Sequence, residues 1–93
     1  MIVLSAKLMI HIPWAMSLKE KRQVKRSLID KIQKKFNVSI AEVDAQELHQ
    51  TLVLGIAVIS GERRHAREVL DEAVRFLEGN TDAEVMSVEI TEG

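Results

Sequence analysis

The sequence predicts an α+β fold, a two-layer sandwich of order βαββαβ in which a four-stranded antiparallel sheet carries two helices on one face. Three observations carry this expectation. Residues 2–12, 38–43, 51–59 and 84–91 alternate or run apolar over strand length. Residues 17–36 and 61–78, lying between them, repeat their apolar side chains at a helical period. Each helical stretch has a single apolar arc, so both need the same cover, and one sheet face supplies it when two βαβ units overlap in the ferredoxin-like arrangement. The 93 residues suffice for one such domain, spanning 1–93, and leave no room for a second core.

In the first strand Ile2, Leu4, Ala6, Leu8, Ile10 and Ile12 occupy every even position, with Ser5, Lys7 and His11 among the odd ones. A period of two puts one face in a core. Pro13 has no N–H to give a ladder and ends the strand. Ser17 and Glu20 have the S-x-x-E spacing of a capping box, the hydroxyl accepting from the third helical N–H and the glutamate reaching back to the cap N–H. Beyond it Leu18, Val24, Leu28, Ile29, Ile32 and Phe36 gather on one side of a helix, and Lys19, Arg22, Arg26 and Lys34 on the other. Lys21 and Lys25 project towards the apolar arc and are expected to snorkel past it. Asn37 is the expected stop.

VSIAEV at 38–43 reads as a short strand, DAQELHQ at 44–50 as a polar connection, and TLVLGIAVI at 51–59, apolar on both faces, as a central strand. Gly55 in its middle predicts a bulge or a close approach by another element. Ser60 is the expected cap of the second helix, Ala66, Val69, Leu70, Ala73 and Leu77 its inward residues, and Gly79 its stop. In the last strand Met86, Val88 and Ile90 alternate with Ser87 and Glu89. This topology brings the start of the first helix near the 44–50 connection. It also predicts that Lys31, Lys34 and Lys35 at the end of the first helix lie near Arg63, Arg64 and Arg67 at the start of the second.

The core has to be aliphatic, because Trp14, Phe36 and Phe76 are the only aromatic residues. The absence of cysteine excludes a disulfide framework, a thiolate metal site and a cysteine nucleophile. The apolar start is interrupted by Lys7 and has no basic leader, and no apolar run approaches the roughly 18 residues of a membrane span. The expectation is therefore a cytoplasmic protein with no membrane contact.

The net charge of −1 hides a division of the chain: residues 1–37 hold nine Lys/Arg against two carboxylates, residues 38–93 four against twelve. Such asymmetry points to a polyanion on one face or to self-association. Lys19, Lys21, Arg22, Lys25 and Arg26, continued by Lys34 and Lys35, form the expected anion-binding set, since cations near a helix N-terminus oppose its dipole and tend to mark function. The plain alternative is a solvated helix face with Asp30 and Lys34 paired at i,i+4. Trp14, Arg63 and Arg64 are possible secondary contacts, against a lid on the core edge for the first and local ion pairs for the others.

RNA is the expected anion, held through phosphates. Neither IVLSAKLMIHI nor TLVLGIAVI carries an aromatic on which a base would stack, and no GxxG loop occurs, so contact falls to the helix side or the loops. The open sheet face, with Val3, Met9, Val53, Ala57, Ile59 and Val85, is expected to form a homo-oligomer, a dimer in the first instance. The alternative function is accordingly a homo-oligomeric protein-interaction or regulatory module without nucleic acid. His11, His49 and His65 have no metal-ligand spacing and no cofactor motif is present. Glu42, Asp44, Glu47 and His49 form only a weak acid/base candidate, and no catalytic residue is assigned.

HIP at 11–13, SLKEKR at 17–22, FNVS at 36–39, AEVD at 41–44 and the Gly55 strand leading into RRHA at 63–66 together resemble the YlxP-like family of small bacterial proteins. The resemblance spans nearly the whole chain, with His49 standing where an aromatic residue is more usual. It implies a ferredoxin-like fold, a bacterial cytoplasmic protein and, because genes of the family often lie among those for translation initiation and ribosome maturation, association with RNA or a ribosomal subunit. It implies no catalytic residue.

Overall fold

The period of two in the first strand becomes the spine of the sheet. The computed structural model describes residues 1–93 and has the order β1 (Ile2–His11), α1 (Leu18–Lys35), β2 (Ser39–Asp44), β3 (Thr51–Ser60), α2 (Arg63–Gly79) and β4 (Glu84–Glu92). Antiparallel pairing in the order β2-β3-β1-β4 gives the ferredoxin-like α+β sandwich. Leu4, Ala6, Leu8 and Ile10 lie opposite Val58, Ile56, Leu54 and Leu52, and all eight are buried. Against them α2 sets Ala66, Leu70, Ala73 and Leu77, and α1 sets Leu28 and Ile32. Helix α2 lies over β1 and β3, α1 over β2 and beside α2, and Phe36 meets Phe76 edge-to-face at 5.7 Å between the helices.

The helix ends differ in detail from the sequence reading. Ser17 caps α1 by accepting from Glu20 N at 3.2 Å, but Glu20 returns to the N–H of Met16, at 3.1 Å, rather than to that of the cap. The C-cap of α1 is Phe36. Glu62, not Ser60, stands at the cap of α2; the Ser60 hydroxyl instead accepts from Glu62 N in the turn before it. Gly79 is the last residue of α2, and the Asn80 amide donates to Phe76 O, satisfying a carbonyl at the open end.

Two extra residues change which side chains face where. In β2 the register slips between Glu42 and Asp44, so Val43 is inserted and folds against Gly55 on β3. A Cβ built on Gly55 would stand 3.0 Å from Val43 Cγ1, which accounts for the glycine as a close approach. Gly55→Val should cost about 1–3 kcal/mol by overpacking. Most of that loss should return in the Gly55→Val/Val43→Ala double variant, as read from urea unfolding midpoints.

In β4 the slip falls beside Met9 and Ile10, and Met86 is the inserted residue. Val85, expected on the open face, therefore pairs with Ile10 and packs on the core, while Met86 is left 60% exposed. Val53 does point away from the main core, but it is only 2% exposed. Of the six residues expected to form an open apolar face, Val3, Met9, Ala57 and Ile59 remain.

Candidate anion-binding surface

Helix α1 sorts its cations by angle. At 3.6 residues per turn Lys19, Arg22 and Arg26 fall within about 60° of one another on the side away from Leu28 and Ile32. All three are exposed, and none has a carboxylate within the 4.0 Å of an ion pair. Lys31, which the expected set left out, is also exposed and unpaired. Lys34 pairs with Asp30 at 2.9 Å, both ends in water, where such a pair is worth little and leaves the ammonium available. The Lys35 ammonium stands 4.4 Å from the centre of the Phe76 ring, a cation–π contact that ties it to α2.

Lys21 is a correction. Its side chain is 2% exposed and its ammonium faces inward, donating to Ala45 O at 2.7 Å and Leu48 O at 2.8 Å while touching Glu42 Oε2 at 2.8 Å. With Gln46 O at 3.4 Å, three carbonyls take hydrogen bonds from the group, and Glu42 adds an ion-pair contact. A buried amine with every proton engaged is not a phosphate contact; it ties the first turn of α1 to the β2–β3 hairpin. That hairpin is otherwise strained, since Ala45 has φ of 54°, a left-handed conformation that costs a residue with a Cβ about 1–2 kcal/mol.

Lys25 approaches Glu42 Oε1 at 3.3 Å and is only partly exposed, so it too is spent largely within the fold. Glu42 thus sits between two ammonium groups and does not join Asp44, Glu47 and His49 in an acid/base cluster. Burial acts to raise its pKa, but the hydrogen bonds and charges of Lys21 and Lys25 outweigh this and hold it below the ordinary 4.5. A carboxyl depressed in the folded state adds stability that is complete above its unfolded value and is lost as pH falls through the folded one. Parent and Glu42→Gln should therefore differ in unfolding free energy at pH 6–7, and the difference should shrink on acidification below about 4.5, as thermal melts across that range will show.

Each arginine of the second basic cluster has a carboxylate beside it. Arg63 holds Glu92 in a two-bonded pair at 2.6 and 2.8 Å, and its hydrogen bonds keep the Glu92 carboxyl below its usual range. Arg64 pairs with Glu68 and Arg67 with Asp71. Nor does the end of α1 approach these arginines as expected, for Lys35 meets Phe76 in the last turns of α2 and Arg63 reaches the end of β4. Trp14 is 45% exposed and lines a groove of about 290 Å³ between α1 and the turn that follows α2. That groove is not legible in the sequence, because its two walls come from residues more than fifty positions apart.

Residues 3–90 match a family described as "Protein of unknown function (DUF503)". The "Uncharacterized protein YlxP" of Bacillus subtilis (strain 168) is 37% identical over 68 residues, which is 73% of this chain and 74% of that relative. With the fold in place and the matched segment running from within β1 to within β4, the chain belongs to this YlxP-like family, DUF503.

Proposed function

We propose that this protein is a non-catalytic RNA-binding factor that meets phosphates of ribosomal or other structured RNA with Lys19, Arg22 and Arg26, continued by Lys31 and Lys34. The observation that carries this reading is the set of unpaired cations. The chain has 14 carboxylates for 13 Lys/Arg, enough to pair every one of them, yet Lys19, Arg22 and Arg26 share one exposed arc without a partner. Lys19 even stands in the first turn of α1, where a cation opposes the helix dipole by a few tenths of a kcal/mol. Crosslinking in cells followed by sequencing tests the reading directly. Recovery of RNA that is lost on Arg22→Glu/Arg26→Glu supports it, whereas recovery of proteins alone, indifferent to nuclease, overturns it.

A second reading rests on the open sheet face and is compatible with the first, because the cations lie in the helix layer. Gly55, Ala41, Ala57, Ser5 and Ser39 are small and leave a shallow channel of about 470 Å³ across β2, β3 and β1. Met9 and Ile59 stand exposed on the same face. We propose that a second copy of the chain covers it. Sedimentation should then show a dimer that Ile59→Lys converts to a monomer; a monomeric parent at high concentration contradicts this.

A further inference from the structure

We infer that the groove beside Trp14 receives one nucleobase of a single-stranded RNA, stacked on the indole, while the phosphates of that strand follow Lys19, Arg22 and Arg26. This rests on the phosphate reading above and adds to it the form of nucleic acid and the place of the base. The groove joins the β1–α1 connection to α1 and to the turn after α2. Beneath it lie Val24 and Leu28, which belong to the core side of α1, and along it stand Gln23, Ser27 and Asp82 with exposed polar ends. Trp14 gives the groove an exposed aromatic surface, and no strand of the sheet offers another.

Position on the helix connects the groove to the cations. Gln23 and Ser27, which line the groove, follow Arg22 and Arg26 in sequence and lie about 100° further round the axis, so the two arginines stand on the neighbouring arc of α1, outside the groove's own lining. A row of cations beside a half-exposed aromatic is the arrangement that binds single strands, charge following the backbone and the ring taking a base. Duplex RNA keeps its bases stacked on one another and cannot offer one to Trp14. Asp82 adds a preference. Its carboxylate accepts and does not donate, which fits the exocyclic amino group of cytosine and not the carbonyl oxygen that uracil has in that place.

Trp14 is the sole tryptophan, so its fluorescence reports on this groove alone. The full chain is titrated with labelled oligocytidine of roughly ten nucleotides, and anisotropy of the label is followed together with Trp14 emission. The inference predicts quenching in step with binding, affinity lower by roughly tenfold in Trp14→Ala and largely kept in Trp14→Phe, and weaker binding of oligouridine and of a matched duplex. Trp14→Ala that binds as the parent does, or emission unchanged at saturation, overturns the groove and leaves the phosphate reading standing. Equal affinity for oligocytidine and oligouridine overturns the role of Asp82. Absence of RNA binding of any kind at low salt overturns the phosphate reading and this inference with it.

Discussion

Lys21→Met should destabilise the domain by about 3–5 kcal/mol, the usual cost of removing one member of a buried ion pair, with Glu42 then keeping only the partly exposed Lys25 at 3.3 Å. Methionine keeps the length of the aliphatic stem, so the loss isolates the ammonium. Without it Glu42 Oε2 has no remaining partner, and the carbonyls of Ala45 and Leu48 lose a charged donor at 2.7 and 2.8 Å. A domain of this size has total stability on the order of 5–15 kcal/mol, so the melting temperature should fall by about 15–30 °C. Glu42→Gln should cost less, because Lys21 keeps both carbonyls. The double variant Lys21→Met/Glu42→Gln should cost less than the sum of the singles, since neither charge is then left alone in the interior. Thermal and urea unfolding measure all three; a loss under 1 kcal/mol for Lys21→Met would show that the hairpin is held without it.

Reversing the unpaired arc should do the opposite to the fold. In Lys19→Glu/Arg22→Glu/Arg26→Glu the new carboxylates lie in the first half of α1, where the helix dipole favours negative charge by about 0.3–1 kcal/mol for a residue in the first turn. No ion pair in the protein is broken, because none of the three cations has a partner. Stability should stay at the level of the parent or rise slightly, while affinity for structured RNA falls by roughly a hundredfold at moderate salt. Separating the two effects matters, since a drop in binding with intact unfolding behaviour assigns the cations to the ligand and not to the fold. Lys31 and Lys34, further along α1, should give smaller losses when replaced singly.

The six elements were legible because each announces itself locally. Alternation gives β1, Ser17 and Glu20 mark the start of α1, and the doubly apolar run 51–59 marks a strand flanked on both sides. The two bulges were not legible, because Val43 and Met86 look like ordinary members of their strands until the partner strand fixes the count. The bulge at Met86 is what turned Val85 inward and shrank the expected apolar face.

Within the candidate site the sequence could place cations on a helix but could not say which of them the rest of the chain would claim. Lys19 and Lys21 are two residues apart and chemically identical, yet one stands in water and the other among hairpin carbonyls supplied by residues 45 and 48. A signal was available. Lys21 precedes Leu28 and Ile32 by seven and eleven residues and so sits in the middle of the buried arc, where a charge needs a partner inside the protein. Glu42, on the strand next to α1, was the nearest in sequence of the carboxylates that could supply it.

Phosphate binding by this face of α1 is tested most directly by the salt dependence of RNA binding for the parent and for the triple variant Lys19→Glu/Arg22→Glu/Arg26→Glu. Each phosphate neutralised releases counterions, so the logarithm of the binding constant should fall with the logarithm of salt concentration, with a slope of about −0.7 per contact on a single strand. Three lost contacts should make the slope of the variant shallower by about 2. Slopes that coincide, with affinities that coincide, would contradict the assignment of phosphate binding to this face of α1.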